Sequence, residues 1–394
     1  MKKLWQKNEQ LDPTVESFET KEDLYLDKKL IKFDVIGSLA HAKMLKKIGI
    51  LSDEELLRLT SSLSEILQLI ESGKFTLGLG DEDMHTKIEN YLTRKLGATG
   101  QKIHTARSRN DQVLTAIRLY SKDRLTTIQN QLKALIATFS NFSKKYGAIP
   151  MPGYTHMQKA MPSSLKIWAD SLLESLQDDL KVVENAAKLN DQSPLGSAAG
   201  YGAPIKLDRE YTAKLLGFAK VQNNSLYCQN SKGKIEAVIL ASLIQIFLTL
   251  NKFASDVMLF TTSEFKFFKV EPGVITGSSI MPQKRNLDVA ELLRSKVHVI
   301  LGNFTKIVSL SSNLPSGYNR DLQDAKRPLI ESLETTLTSL EVANILLGKL
   351  IPNKEVLEGS LTEELFATQR AFEQVKKGVP FRMAYQKVKK ETGS

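Results

Sequence analysis

Long stretches without proline are the feature that most constrains the fold of this 394-residue chain. No proline occurs between Pro13 and Pro150, or between Pro204 and Pro272. Proline removes a backbone donor and clashes with the preceding turn, so its absence allows helices to run far. Apolar residues with helical spacing indicate five long helices, at 110–146, 164–189, 234–260, 287–310 and 329–351.

The stretch 234–260 is apolar on nearly every side, which predicts the most buried helix of the protein. Its longest apolar run, 237–250, has 14 residues and is too short to cross a bilayer. Helices this long exceed the usual globular mean. We therefore expect an all-α fold with a central bundle of long helices, completed by oligomerisation.

Short signals refine this expectation. Ser52 followed by Glu55 predicts a capped helix start. Strand alternation is not convincing anywhere, although 221–227 is compatible with a short extended piece. Segments rich in glycine, proline and serine predict loops, where functional residues concentrate: 78–83, 150–162, 193–204, 272–282 and 313–317.

Composition excludes several classes of protein. The chain is 42% hydrophobic and 25% charged, which is typical of a soluble globular protein. Its single cysteine, Cys228, cannot form an internal disulfide and predicts a small packed side chain in a cytosolic protein. The segment 1–10 is polar and lacks the apolar stretch of a secretory signal.

The net charge of +10 is compatible with a nucleic acid, an anionic membrane or an acidic small molecule as partner. The basic residues are dispersed and alternate with acidic ones on the predicted helix faces. This pattern favours solvated helix surfaces over a nucleic-acid or membrane interface.

The segment 277–288, GSSIMPQKRNLD, is the most specific motif. Glycine, serine and proline predict a mobile loop, with Asn286 as the N-cap of the next helix. Ser278, Lys284 and the loop's N–H groups could hold a carboxylate and stabilise developing negative charge. An ordinary capped linker explains the same residues equally well.

Two further segments have the same ambiguity. In 151–162, Thr155 and His156 lie between prolines, and a histidine oriented by Glu291 would be a tunable acid or base. A lone histidine is nevertheless more often structural. In 104–112, the side chains of Ser108, Arg109 and Asn110 precede a helix and suit an anion, or form a charged capping turn.

The segment 78–90 holds Asp81, Asp83, His85 and Glu89, but their spacing fits no common metal-binding motif, so we expect no metal. The pair Gly78 and Gly80 lacks a third glycine and a preceding strand. We therefore discard it as a dinucleotide signal.

Taken together, the motifs resemble the argininosuccinate lyase branch of the fumarase/aspartase superfamily. The resemblance rests on KLW at the start, HTARSRNDQ, MPGYTHMQKAMP, SPLGSAAGYG, GSSIMPQKRN, LPSGYNRDLQ and GVPFRMAYQKV, in this order along nearly the whole chain. It implies an all-α, three-domain homotetramer whose central helices form a common core. The implied domains are 1–105, 106–352 and 353–394.

The resemblance implies reversible cleavage of argininosuccinate to arginine and fumarate in the cytoplasm, without a cofactor. Ser278 would be the base and His156, oriented by Glu291, the acid, while Lys284 would take up negative charge. Each active site would combine three subunits, and the implied substrate-binding residues are His85, Ser108, Arg109, Asn110, Thr155, Asn286, Tyr318, Gln323 and Lys326.

The chain departs from the family pattern at three places. Leu287 replaces a usual proline, Lys232 stands where arginine is frequent, and the region between Tyr318 and Ala367 is shorter. A lysine cannot form the bidentate fork of an arginine, so contacts to substrate change there. These departures leave open a sister lyase acting on an N-acylated argininosuccinate or on another succinyl adduct such as adenylosuccinate. A non-catalytic helical oligomer is a further alternative.

Overall fold

The computed structural model describes residues 12–78 and 81–391, which are mostly helical. This confirms the all-α class. The segment 1–10, with its KLW motif, and Gly80 lie outside the described residues.

The helices are α1 Pro13–Lys47, α2 Asp53–Glu71, α3 Met84–Leu96, α4 Ala98–Gln101, α5 Arg109–Tyr146, α6 Leu165–Asn190, α7 Arg209–Leu215, α8 Ser225–Asn230, α9 Lys234–Phe260, α10 Asp288–Leu310, α11 Lys326–Gly348, α12 Lys354–Gly359, α13 Ala367–Lys376 and α14 Phe381–Glu391. Short 3₁₀ helices cover Lys102–His104, Arg320–Ala325 and Glu363–Phe366. The strands form three two-stranded sheets: β1 Pro150–Thr155 with β2 Gln158–Ser164, β3 Gln192–Ser193 with β4 Lys220–Val221, and β5 Phe268–Val270 with β6 Leu350–Pro352.

The five predicted long helices are confirmed as α5, α6, α9, α10 and α11, with ends within three residues of the predicted ones. Helix α9 is long and apolar enough to cross a membrane by composition. However, 61% of its most apolar window is buried inside the protein, as in a core helix.

One loop prediction is wrong, and one expected extended piece is confirmed only in part. The segment 150–162 lies in the antiparallel hairpin β1–β2, where Pro152 pairs with Pro162. In a two-stranded sheet both strands are edges, so a residue without an N–H is tolerated. The expected extended piece at 221–227 holds for β4 only, because Asn224 caps α8 through a 2.8 Å bond from the Tyr227 N–H.

The described chain divides into two compact units. Unit 1 comprises Met1–Thr127, Val183–Leu243 and Val299–Thr335; unit 2 comprises Ile128–Val182, Ile244–His298 and Thr336–Ser394. The three-domain division implied by the resemblance stays a prediction.

In unit 1, an apolar cluster joins α1, α5 and α7 to the β3–β4 region, with Ala40, Leu119 and Leu216 among its members. Cys228 is buried, as predicted, and burial raises the pKa of its thiol. Its Sγ donates to the Gln222 carbonyl at 3.3 Å, so the thiol has a structural role.

In unit 2, the core is aromatic. Phe139 and Phe253 meet edge to face at 5.4 Å between ring centroids, and Trp168 lies 5.4 Å from Phe268. Such pairs stabilise beyond the area they bury. The Trp168 Nε1–H donates to Asp256 at 2.9 Å, so the buried indole has its polar group satisfied.

Helix α2 begins with the predicted cap. The Ser52 hydroxyl accepts from the Glu55 N–H at 3.2 Å, and the Glu55 carboxylate accepts from the Ser52 N–H at 3.0 Å. Both bonds satisfy N–H groups that a helix start leaves without partners.

We expect Ser52→Ala to lower the free energy of unfolding by about 1 kcal/mol, because the cap is lost. Ser61→Ala is the matched control, since Ser61 is exposed inside the same helix and alanine is the better helix former. Urea denaturation followed by circular dichroism measures both. Equal stability of Ser52→Ala and the unaltered protein would contradict the capping role.

Candidate active site

A cavity of about 290 Å³ lies within unit 1. It is bounded by α1, the segment before α3, the start of α5, Lys232 and the segment 318–326. Its charged and polar lining is Glu19, Thr20, Asp23, Asp27, Glu82, Asp83, His85, Arg109, Asn110, Lys232, Tyr318, Arg320, Gln323 and Lys326. Six of the predicted substrate-binding residues therefore come together here, although they lie far apart in sequence.

Lys326 is held by two carboxylates of α1. Its Nζ lies 2.6 Å from Asp23 Oδ1 and 3.1 Å from Asp27 Oδ1. Asp23 and Asp27 are four residues apart and share a helix face. Burial alone would lower the pKa of Lys326, but the two carboxylates outweigh it and the pKa is raised. Lys326 therefore stays charged in the wall of the cavity.

His85 is fixed by a third carboxylate of α1. Its Nδ1 lies 2.8 Å from Asp34 Oδ2, and both side chains are buried. Burial alone would lower the pKa of His85, but the attraction of Asp34, with that of Asp83 and Asp27, outweighs it and the pKa is raised. Across residues 12–78 and 81–391, no group of three or more His, Cys, Asp or Glu is arranged to hold a metal ion.

The guanidinium of Arg109 is already engaged by protein groups. It forms two bonds to the Glu82 carboxylate and donates to Thr86 Oγ1 at 2.8 Å. Asp83 lies 3.3 Å from its Nε. A fork that holds one carboxylate in this way has the geometry to hold another.

The start of α5 is both a capping turn and a wall of the cavity. Ser108 Oγ accepts from the Asn110 N–H at 3.3 Å, and Asp111 Oδ1 accepts from the Ser108 N–H at 3.0 Å. Asp111 Oδ2 also accepts from the N–H groups of Gly196 and Ala198, at 2.9 and 3.0 Å. The two interpretations of this motif, a capping turn and an anion-binding site, thus describe the same residues. Ser108 itself is not among the lining residues.

The segment after α10 supplies the remaining wall. Gln323 donates to the Glu19 carbonyl at 3.0 Å, which ties the 3₁₀ helix to α1. The ring of Tyr318 lies 5.3 Å from the Nζ of Lys232. Lys232 itself is only 6% exposed.

In unit 2, a bridge between Thr276 and Asn286 closes the loop that carries Ser278. Their backbones exchange bonds of 3.0 and 2.9 Å, and Asn286 Nδ2 donates to the Gly277 carbonyl at 3.3 Å. The prediction of Asn286 as N-cap is wrong, because α10 begins at Asp288 and Asn286 is engaged in the bridge.

Ser278 Oγ accepts N–H groups from its own loop, at 3.3 Å from Ile280 and 3.1 Å from Met281. Donors aimed at an oxygen stabilise negative charge that develops on it. Lys284 is exposed in the same loop. The loop therefore combines a hydroxyl, two N–H groups and a cation within ten residues.

The tip of the β1–β2 hairpin presents Thr155 and His156 to the exterior. His156 and Met157 have φ of 52° and 61°, as the two central residues of the tightest hairpin turns do. Within the described part of one chain, no hydrogen bond or ion pair joins His156 to Glu291. The orienting role of Glu291 therefore stays a prediction.

Sequence reasoning missed the acidic partners of the cavity. Asp23, Asp27 and Asp34 repeat at intervals of four and seven residues, which places them on one face of a helix. That spacing was the available signal. The sequence around Glu82, the partner of Arg109, gave no comparable signal.

We expect Asp34→Asn to lower the pKa of His85, because burial remains while the strongest attracting charge is gone and only Asp83 and Asp27 are left to oppose it. NMR titration of the imidazole protons measures this shift. The protein has five histidines, which keeps assignment tractable. Asp321→Asn, an exposed aspartate, is the control and should leave His85 unchanged. An unaltered His85 titration in Asp34→Asn would contradict the pairing.

Comparison with known proteins gives a family. The family model described as Lyase matches residues 7–302. The argininosuccinate lyase of Thermotoga neapolitana is 47% identical over 391 residues, which are 99% of this chain and 98% of that protein. The argininosuccinate lyase of Sorangium cellulosum is 41% identical, over 99% of this chain and 90% of that protein.

Solved structures agree on the fold. EDDS lyase in complex with formate has a TM-score of 0.83 at 23% identity, covering 98% of this chain and 78% of that one. The fumarate lyase:delta crystallin from Brucella melitensis bound to cobalt has a TM-score of 0.78 at 19% identity, covering 98% and 87%. With its ordered motifs and its full-length relatives, the chain belongs to the argininosuccinate lyase family.

Proposed function

We propose that this protein cleaves argininosuccinate reversibly to arginine and fumarate, in the cytoplasm and without a cofactor. The observation that carries the proposal is the match to argininosuccinate lyases along nearly the entire chain. The unit 1 cavity supports it, because argininosuccinate carries three carboxylates and a guanidinium and the lining offers both charges.

In the proposed reaction, Ser278 removes a proton from the succinyl carbon next to a carboxylate. The electron pair moves onto the carboxylate oxygens, where Lys284 and Asn286 stabilise it. The carbon–nitrogen bond then breaks, yielding fumarate. The two N–H groups on Ser278 Oγ support this role, since they favour a negatively charged oxygen.

His156 completes the proton balance by protonating the departing guanidino nitrogen, directly or through water. Ser278 removes one proton from the substrate and His156 donates one proton to it. The elimination therefore needs no oxidant or reductant. Thr155, on the same hairpin, binds a carboxylate of the succinyl part together with Ser108 and Asn110.

We further propose a homotetramer in which each site combines residues of three subunits. Exposed large apolar residues on the long helices support assembly through these helices: Val238, Leu248, Leu292, Leu301 and Ile345. The exposed position of His156 at a hairpin tip fits a residue that completes the site of another subunit.

We expect Ser278→Ala to lower kcat by at least about 100-fold with folding intact, as loss of a general base does. Fumarate formation from argininosuccinate, followed by ultraviolet absorbance, measures the rate. Ser279→Ala is the matched control, since its hydroxyl is exposed in the same loop. Near-normal turnover of Ser278→Ala would remove Ser278 as the base. Turnover of adenylosuccinate alone would refute the proposed substrate.

We expect His156→Asn also to be nearly inactive, and mixtures of His156→Asn with Ser278→Ala to regain activity. Tetramers refolded from both variants would contain sites in which both residues are intact, if the two come from different subunits. Each variant refolded alone is the control. A mixture as inactive as its parents would show that one subunit supplies both residues.

A further inference from the structure

The turn that precedes helix α5 has a backbone conformation that its residues do not favour. The Arg107 N–H donates to the His104 carbonyl at 3.1 Å, which closes a β-turn. Thr105 has φ −54° and ψ 125°, and Ala106 has φ 58°. These angles define a type II turn, whose third residue is normally glycine because side chains disfavour a positive φ. An alanine at this position indicates that the surroundings impose the conformation.

Helix α1 holds the middle of this turn. The Nε2 of His41, which is 0% exposed, lies 3.0 Å from the Thr105 carbonyl oxygen. A carbonyl oxygen only accepts, so the Nε2 of His41 carries the proton and donates it. Burial, followed by repulsion from Arg107, lowers the pKa of His41 well below its usual value, so the ring is neutral. His41 is therefore a fixed, uncharged donor to one peptide group.

A second residue of α1 holds the end of the turn. The Arg107 guanidinium donates to the Ser38 hydroxyl at 2.9 Å, and Ser38 lies one helical turn before His41 on the same face of α1. Arg107 does not line the unit 1 cavity, whereas Arg109 does. The two arginines of this segment therefore differ in role, because Arg107 anchors the turn to α1 while Arg109 faces the cavity.

The bond from His41 selects between the two common types of turn. Types I and II differ chiefly by a flip of the central peptide, here the one between Thr105 and Ala106. In a trans peptide the N–H points opposite to the carbonyl, so the Ala106 N–H faces away from His41. Within residues 12–78 and 81–391, neither the Ala106 N–H nor the Arg109 N–H has an acceptor. The segment therefore presents two backbone donors.

We propose that His41 is a positioning residue of the proposed active site. By holding the Thr105 carbonyl, it keeps the Ala106 N–H facing away from α1, where this N–H and that of Arg109 bind a carboxylate of the succinyl part. Backbone N–H groups of a turn at a helix start are a common anion-binding arrangement. The assignment rests on the proposed function, which places that carboxylate at the start of α5.

The test measures the reverse reaction with fumarate as the variable substrate. In His41→Leu the carbonyl loses its donor, so the turn should adopt type I, in which Ala106 has a negative φ. Because the Ala106 N–H then turns away from the carboxylate, KM for fumarate should rise about tenfold, as expected for one hydrogen bond to a charged group. KM for arginine and kcat should stay unchanged, since only binding of the carboxylate is weakened.

Ala106→Gly distinguishes positioning from general damage. Glycine favours the type II turn without help from α1. Adding Ala106→Gly to His41→Leu should therefore return KM for fumarate to near the unaltered value. Ala106→Gly alone should leave KM unchanged, because the turn is already of type II.

Two amide variants repeat the test without an apolar side chain. The amide in His41→Gln extends as far as the histidine Nε2 and should keep KM for fumarate low. The shorter amide in His41→Asn should not reach the Thr105 carbonyl, so KM should rise as in His41→Leu. Leu132→Ala is the control for lost stability, since Leu132 is 0% exposed and belongs to unit 2. It should lower the melting temperature and leave KM for fumarate unchanged.

Crystal structures of His41→Leu, with and without Ala106→Gly, show the peptide directly. We expect a negative φ at Ala106 in the single variant and a positive φ at the introduced glycine in the double variant. A positive φ at Ala106 in His41→Leu would show that His41 does not hold the peptide.

The kinetics decide whether the peptide serves the carboxylate. A KM for fumarate that is unchanged in His41→Leu, or raised and not restored by Ala106→Gly, would overturn the positioning role of His41. Absence of argininosuccinate turnover by the unaltered protein is a different result. It refutes the proposed function, and with it the carboxylate role of the peptide, while the crystal structures still decide whether His41 holds the turn.

Discussion

The unit 1 cavity depends on buried carboxylates of helix α1. Asp27, which is 1% exposed, lies 3.1 Å from Lys326 Nζ and accepts from the Met84 N–H at 3.2 Å. One side chain thus ties the start of α11 to the start of α3. Seven residues later, Asp34 holds His85.

Removing one member of such a pair leaves the other charge buried without compensation, which is far more destabilising than losing a surface pair. A carboxylate at these positions therefore fixes the spacing between α1, α3 and α11. It also holds Lys326 charged and His85 in one orientation.

These same carboxylates explain why the sequence analysis predicted helix α9 but did not predict helix α1. Helix α9 is apolar on nearly every side, so its bounds followed from composition. Helix α1 buries Asp27, Asp34, Ser38 and His41 on the face that also buries Leu30 and Val35. Because polar residues are buried among the apolar ones on this face, the sequence of α1 has little amphipathic pattern. The β1–β2 hairpin was missed because Pro152 and Pro162 signal a loop in a single sequence.

The sequence motifs allowed the residues of the site to be predicted, but not the contacts between them. Arg109, His85, Lys326 and Tyr318 were identified through the resemblance, and the fold brings them to one cavity. Their partners could not be read from the sequence, because a pair such as Asp23 and Lys326 is separated by hundreds of residues. The prediction of Asn286 as an N-cap failed for a related reason. An asparagine just before a helix can cap that helix or pair with a distant residue, and the local sequence is the same in both cases. Only the pairing with Thr276 shows which role Asn286 has.

The charges of the cavity determine what an incoming carboxylate would have to displace. The lining holds five carboxylates, Glu19, Asp23, Asp27, Glu82 and Asp83, against four basic side chains, Arg109, Lys232, Arg320 and Lys326. The net charge of +10 therefore does not originate in this cavity. A carboxylate that approaches Arg109 must compete with Glu82, whereas within residues 12–78 and 81–391 no carboxylate is paired with Lys232. Binding at Lys232 thus gains the full interaction, and binding at Arg109 gains only the difference between two carboxylates.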